Sequence, residues 1–388
     1  MTTTDLAELK KQVKKIALDM GADLVGVGSQ ERLKDAPPSA DMSFSLPGAQ
    51  SCIMWAYGDP IDAIEDYFAK KDRMGAKKFK HFAYTTAWKT AEKIRKFIES
   101  NTEYKAYTVV PNYKSRRHED GSRFDMFKED WGYPDFSLKY GAVAAGLGHL
   151  GWSGLLVTKE FGGACYLGGV LTTAPLEPDP MVEENYCTDC KICAKICTSG
   201  HFSETEEEDE YPVVIGGVKQ VYAKRDVFCR CAVTNMGLIG VSEDNTWGTW
   251  AAHHIGTKRD SAESWRDPAY RQRLRKKIFQ SKETPKELRV YAGKVAGNFM
   301  RGAAAENAGI VTLTEMSPRC GSCSYVCVPD PKKRAELLKL IKSSGKVFID
   351  DDGKEYVEKI NEDGEKIVYY TPTQEESPYT KDMDPQKT

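Results

Sequence analysis

The chain begins with apolar residues at helical spacing. In "DLAELKKQVKKIALDMGA" the side chains of Leu6, Leu9, Val13, Ile16 and Met20 fall on one face, which predicts a helix with one buried stripe. Three short apolar runs, "DLVGVG", "CIMWAYG" and "YKAYTVVP", have the length and composition of buried strands. Helical spacing returns in "AYTTAWKTAEKIRKFIES". Together these signals predict an α/β or α+β domain over residues 1–180, with its Met and aromatic positions in the core.

Farther along, "FSLKYGAVAA" reads as helix and "WSGLLVTKEFGG" as strand, and "GLGHLG" lies between them. Gly146, Gly148 and Gly151 formally satisfy G-x-G-x-x-G. A dinucleotide site needs a strand before those glycines and a helix after them. The order here is reversed, so the glycines are expected instead to let backbone approach something flat or bulky. An acidic block, "SETEEEDE", reads as a solvated loop, and "YPVVIGGVKQVYA" as a hairpin with a Gly-Gly turn. From Lys258 to Arg301 there are 13 Lys and Arg against 5 Asp and Glu. That stretch suits either a solvated helical surface or a docking face for an acidic electron donor or an anionic substrate. His253 and His254, in "WGTWAAHHIG", are candidates to cap a substrate pocket. The tail carries two Asp-Gly turns between β-rich runs, so a small β-meander with a flexible end is expected over residues 336–388.

Composition sets bounds on this outline. A chain of 388 residues with 40% hydrophobic content can fill a large core in two or three domains. A formal net charge of -2 gives no global pull toward nucleic acid or membrane, and few aromatics interleave with the basic stretch. The N-terminus shows no twin-arginine and no long apolar region, so a cytoplasmic protein without export signal is expected. Residues 154–175 are interrupted by Lys159 and Glu160, which makes them too short and too charged to span a bilayer.

The chemistry is carried by 11 cysteines. In a reducing compartment, clustered cysteines bind metal or react more often than they form disulfides. Cys187, Cys190, Cys193 and Cys197 have the spacing C-x2-C-x2-C-x3-C of bacterial ferredoxins, with Thr198 where proline usually follows. Three such thiolates hold one [4Fe-4S] cluster, and the fourth ligates a second. Cys320, Cys323 and Cys327 form a second run, one ligand short. The count closes if the runs exchange ligands. Cys187, Cys190, Cys193 and Cys327 would serve one cluster; Cys197, Cys320 and Cys323 with either Cys229 or Cys231 would serve the other. A zinc ribbon would need only four of these nine thiols and usually has a different rhythm. The expected architecture places the two-cluster module over residues 181–335, interrupted by an insertion at 203–314.

The 186 residues before the first cluster cysteine need a task of their own. "FSLKYGAVAAGLGHLGWSGLLVTKEFGGACYLGGVLTTAPLEPDP", running into "YCTDCKICAKIC", resembles the core of the corrinoid-dependent reductases, that is, reductive dehalogenases and epoxyqueuosine reductases. The resemblance covers residues 136–200 closely and 315–330 by spacing. It implies a nitroreductase-like domain holding base-off cobalamin, followed by a ferredoxin-like module with two [4Fe-4S] clusters. Carried onto this chain, corrinoid contacts would come from Gly146, Leu147, Gly148, His149, Gly151, the segment Ser153 to Val157 including Leu155, and Thr172 and Thr173. No D-x-H-x-x-G run is present to supply a lower-ligand histidine.

The chain also departs from the pattern. His149 and Trp152 stand where dehalogenases tend to have Glu and Arg, and Gly163 to Tyr166 replace their basic residues. Where epoxyqueuosine reductases carry an aspartate, this chain has Gly132. A reductase that protonates its product needs a proton donor. Tyr107, Tyr113 and Tyr133 are candidates, with Asp130 and Asp135 flanking the last. The resulting expectation is a cobalamin-dependent iron–sulfur reductase acting on a small, anionic or neutral organic molecule. It would be fed by a low-potential donor such as ferredoxin or flavodoxin, either as a monomer or as a homo-oligomer. Two alternatives stay open: an electron-transfer or activator protein for a partner enzyme, and a tRNA-modifying reductase.

Overall fold

The computed structural model describes residues 5–109, 116, 118–120, 122, 125–202, 210–251, 261–280 and 319–380. The fold is mixed α and β, and its sheets are antiparallel. Strands β1 (Leu24–Ser29), β2 (Ser51–Gly58), β3 (Ala106–Val109) and β6 (Cys165–Thr172) form one sheet in the order β1-β2-β6-β3. Of the two readings, this is the α+β one.

Strand alternation divides the core in two. Ile53, Trp55 and Tyr57 of β2 face helix α1 (Leu6–Asp19) and the alanine-lined side of α4 (Met74–Asn101), where Ala83, Ala87 and Ala91 let the helix come close. Cys52 and Met54 face the other way, onto α5 (Leu138–Ala144). In β6, Gly168 and Gly169 lie opposite Trp55 and Met54, and a Cβ on Gly168 would come within 2.4 Å of the indole nitrogen. Each large side chain buried in this way contributes about 1.5–3 kcal/mol.

The first helix forms as its periodicity predicts, with Leu9 and Val13 buried and Asp5 capping its first turn by accepting from Ala7 and Glu8 N–H. Helix α4 starts nine residues before "AYTTAWK", and α3 (Ile61–Phe68) precedes it. The strand expected in "WSGLLVTKEFGG" shrinks to β5 (Leu156–Val157), paired with β4 (His149–Leu150). Its length is limited because the partner strand is itself only two residues long.

The Gly-Gly hairpin forms as β7 (Glu210–Ile215) and β8 (Val218–Ala223), with Gly216 and Gly217 at φ +58° and +78°. Its Ala223 packs with Trp152, Cys193 and Phe202 beside the first cysteine run. Val213, Ile215 and Tyr222 fill the core beside α5, so the hairpin completes the packing of the leading domain. Of the basic stretch, α8 (Ala262–Arg266) and α9 (Pro268–Gln280) are described. His253, His254 and Tyr113 lie outside the described residues, as do the residues beyond 280 in that stretch.

The meander forms as β9 (Lys346–Ile349), β10 (Glu355–Ile360) and β11 (Lys366–Tyr370). The flexible end expected after it is, up to residue 380, fastened down. Ser377 donates to Asp72 at the turn between α3 and α4, and Tyr379 donates to Asp66 of α3. Among the described residues no helix is long and apolar enough to cross a membrane.

Candidate functional site

Two left-handed residues curl the first cysteine run. Asp189 and Lys191 have φ of 51° and 53°, which turns the chain so that Cys187, Cys190 and Cys193 face one hollow. Helix α6 (Ile192–Lys195) carries Cys193 and ends one residue before Cys197. The second run is built alike: Gly321 at φ 132° opens α10 (Ser322–Tyr325), which carries Cys323, with Cys327 just beyond it. Cys327 crosses to the first hollow.

Cys187, Cys190, Cys193 and Cys327 therefore line one small hollow with Gly151, Trp152, Lys191 and Arg334. Cys193 has Cys327, Cys187 and Cys190 as its thiol neighbours. Cys323 has Cys320, Cys231 and Cys197, and then Cys193 of the first group. Four thiols thus share one hollow, and Cys197, Cys231 and Cys320 are electrostatic neighbours of Cys323 beside it.

Cys229 and Cys231 point to different sides of α7 (Phe228–Asn235). Residues two apart on a helix point about 200° away from each other. Cys231 lies beside Cys197 and Cys320, while Cys229 is fully buried among Val233, Trp265 and Ile278.

Burial pushes the Cys231 thiol up to about 12 and moves Cys193, Cys320, Cys323 and Cys327 in the same direction. Buried thiols held this way resist ionisation unless a cation takes the place of the proton. An all-sulfur donor set selects zinc or iron–sulfur clusters. Among the described residues no three His, Cys, Asp or Glu side chains converge to hold a single ion.

The surroundings of each quartet supply donors to sulfur. Trp152 N–H donates to Cys187 Sγ at 3.4 Å, and His201 N–H donates to Cys197 Sγ at the same distance. Arg334, on α11 (Pro331–Lys342), is 2% exposed. Its Nη1 donates to Thr188 Oγ1 at 2.8 Å and lies 3.9 Å from Cys190 Sγ, and its other nitrogens hold the carbonyls of Val328 and Pro329. Lys191 places Nζ 4.1 Å over the Trp152 ring. Thr198 is buried directly after Cys197. The sequence gives no hint of Arg334, an unremarkable cation in "PKKRAELL" whose role depends on how α11 packs.

The candidate corrinoid residues are largely packed against protein. A Cβ on Gly146 would come within 2.1 Å of the Pro180 carbonyl oxygen, and one on Gly148 within 2.2 Å of Val157's. The close approach expected of these glycines is thus made by the chain itself. Gly151 backs onto Val157 and Cys187, Leu147 is buried in the core beside α5, and His149 Nε2 lies 2.7 Å from the Val182 carbonyl oxygen. Thr172 Oγ1 donates to the Lys105 carbonyl, and Thr173 Oγ1 accepts from Lys105 N–H. Ser153 Oγ accepts from Leu155 N–H, and the Ser153 carbonyl accepts from Arg225. These contacts do not build a corrinoid cradle.

The candidate proton donors separate. Tyr107 on β3 donates to Asp135 Oδ2 at 2.8 Å, and Asp135 Oδ1 accepts from Phe136 N–H. Asp130 is instead paired with the fully buried Arg271 at 2.7 Å, and Tyr133 is 53% exposed. Only Tyr107 and Asp135 form a hydrogen-bonded pair among these candidates within the described residues.

The site is thus a group of clustered thiols beside an α+β scaffold. No family model matches it. Local similarity exists to curated enzymes. The chain is 41% identical over 59 residues to the epoxyqueuosine reductase of Listeria monocytogenes and 42% identical over 64 residues to that of Gloeobacter violaceus. These matches span 15% and 19% of those enzymes and 15% and 16% of this chain. Among solved structures, the fold overlays on an epoxyqueuosine reductase bound to an epoxyqueuosine-modified tRNA-Tyr stem loop, at 15% identity and TM-score 0.38, over 87% of this chain and 100% of that one. It also overlays on a reductive dehalogenase described as B12-dependent, at 15% identity and TM-score 0.43, over 81% of this chain and 39% of that one.

Proposed function

We propose that this chain is an iron–sulfur reductase that works with a corrinoid. Cys187, Cys190, Cys193 and Cys327 would hold one [4Fe-4S] cluster, and Cys197, Cys231, Cys320 and Cys323 the other. The observation that carries the reading is the convergence of Cys187, Cys190 and Cys193 with the distant Cys327 on one hollow. Clusters held there would pass single electrons at low potential. The chain's own part is to donate to sulfur from Trp152, His201 and Arg334, and to hold a proton on Tyr107 against the Asp135 carboxylate.

The corrinoid is supported by the resemblance of residues 136–200 to corrinoid-dependent reductases and by the local similarity to epoxyqueuosine reductases. The packing of Gly146, Gly148, Thr172 and Thr173 lends it no support. The substrate in this reading is a small organic electrophile, the donor a low-potential ferredoxin or flavodoxin, and the compartment the cytoplasm.

Anaerobic purification with cobalamin present tests it. About eight irons per chain, two cluster signals by EPR and a stoichiometric corrinoid spectrum are expected. Eight irons without any affinity for added cobalamin would replace it with an electron-transfer protein serving a partner enzyme. A second reading, tRNA modification, is favoured by the names of the curated relatives, each an epoxyqueuosine reductase. Binding of an epoxyqueuosine-containing stem loop at low salt, where phosphate contacts are strongest, decides it.

A further inference from the structure

The hairpin that packs against α5 brings two cations to one place. Lys139 Nζ stands 4.7 Å from the centre of the Tyr140 ring and 4.6 Å from that of Tyr222. Arg225 lies over Tyr222 as well, its Cζ 5.4 Å from the ring centre. Among the described residues neither cation is paired with a carboxylate. Arg225 spends Nη2 on the Ser153 carbonyl and leaves its buried Nε without a partner. The hydroxyls of Tyr140 and Tyr222 are 2.9 Å apart, so one donates to the other and the acceptor keeps its own proton for a third group. On the same face of β8, Gln220 accepts from Leu150 N–H and leaves its amide nitrogen unpartnered.

Everything unspent in this cluster is a donor or a positive charge. The two cations also oppose each other: burial, and then Arg225, lowers the Lys139 pKa well below that of an ordinary lysine. Cation–π contact with one shared ring offsets only part of that cost. A built-in deficit of negative charge remains. Gly154, at φ +67°, makes the arrangement possible, since a Cβ there would come within 2.5 Å of Arg225 and 2.9 Å of Tyr222. The loop containing Gly154 lines the first thiol cavity through Gly151, Trp152 and Ser153. The cluster therefore sits one loop away from that quartet.

We infer that Lys139, Arg225 and the Tyr140–Tyr222 hydroxyl pair bind an oxyanion, a carboxylate or phosphate group, beside the first quartet. The proposal goes beyond the reductase reading, and only the source of the oxyanion rests on that reading. A small substrate could bring a carboxylate, and a corrinoid could bring the phosphodiester of its nucleotide tail. Both present the same chemistry to these residues.

Two titrations of the full-length, cluster-loaded protein test it. In the first, benzoate and inorganic phosphate are titrated by calorimetry into wild type and into Lys139→Met and Arg225→Gln, with Lys139→Arg as the variant that keeps the charge. Saturable binding is expected in wild type, weakened about tenfold in the two neutral variants and recovered in Lys139→Arg, as loss of one charge-assisted contact requires. In the second, cobalamin is compared with cobinamide, which lacks the nucleotide phosphate, by absorbance. A wild-type preference for cobalamin that Lys139→Met erases would support the site and name the tail as the source. Anion binding without such a preference supports it with the substrate as the source. The inference is overturned if wild type binds neither benzoate nor phosphate saturably and does not distinguish the two corrinoids. It is equally overturned if the neutral variants, melting as wild type does, bind as wild type. A protein with no affinity for any corrinoid defeats the reductase reading and leaves the benzoate and phosphate titration to decide the site.

Discussion

Arg334 Nη1 lies 3.9 Å from the sulfur of Cys190, so a buried guanidinium stands against the one thiol of the first quartet that is exposed to solvent. A positive donor there favours the more negative, reduced state of whatever that sulfur ligates. Replacing Arg334 with Met should lower the potential of one cluster by about 65–130 mV, the one-electron equivalent of about 1.5–3 kcal/mol for a charge-assisted bond. Arg334→Lys should recover part of it. An EPR-monitored redox titration reads this directly, and unchanged potentials with intact clusters would sink the idea.

The rotation of α7 predicts opposite outcomes for neighbouring cysteines. Cys231→Ser should cut iron from about eight atoms per chain to about four and remove one EPR signal. Cys229→Ala should keep all the iron and cost about 1 kcal/mol of stability, as loss of a small buried side chain does. Iron assay and thermal melting separate them; equal iron loss in both would mean that the thiol grouping is wrong.

Glu355 on β10 receives Arg73 on both carboxylate oxygens, at 2.8 and 2.9 Å, and Arg319 at 2.7 Å. Burial raises its pKa, but the two guanidiniums outweigh burial and hold it at about 2. A depressed acid stabilises the fold above its unfolded value, near 4.5, and loses that contribution as pH falls toward 2. Glu355→Ala should therefore cost about 3–5 kcal/mol at pH 7, because it removes the carboxylate that two guanidiniums share, and much less at pH 3. Denaturant melts at the two pH values check it. Since Arg319 precedes Cys320, the variant should also load less iron.

Asp59 behaves in the opposite sense. Burial raises its carboxyl to about 8, and its Oδ2 has no partner. A raised acid weakens the fold progressively as pH climbs from the unfolded value, near 3.8, through 8. Asp59→Asn should stabilise the protein, with a gain on the order of 4 kcal/mol larger at pH 8 than at pH 5. Equal melting gains at both values would show that Asp59 does not titrate in the fold.

How much of this was legible depends on the kind of signal. Spacing along the chain announced α1, the hairpin, the meander and both cysteine runs, because those features are local. Helix α3 is short and follows Pro60, and the first turns of α4, "MGAKKFKHF", are rich in lysine and thin in apolar residues, so periodicity did not reveal them. The glycines of "GLGHLG" suggested close approach without naming the partner, which is the protein's own backbone at Pro180 and Val157. Arg334 beside Cys190, Glu355 beside Arg319 and Lys139 beside Tyr222 are meetings of distant segments, and no spacing rule encodes them. The choice of Cys231 needed one rotation angle of one helix.

The exchange of Cys327 and Cys197 between hollows has a consequence for how the protein can be made. The two runs are separated by 122 residues, and neither hollow can be finished until both have been synthesised and brought together. The pair behaves as a clasp. A chain released or cut anywhere between residues 198 and 319 would carry no complete quartet, and no fragment would inherit a working half. Iron loading should accordingly be all-or-none with respect to this join, which makes metal content a direct gauge of whether the two ends of the molecule have met.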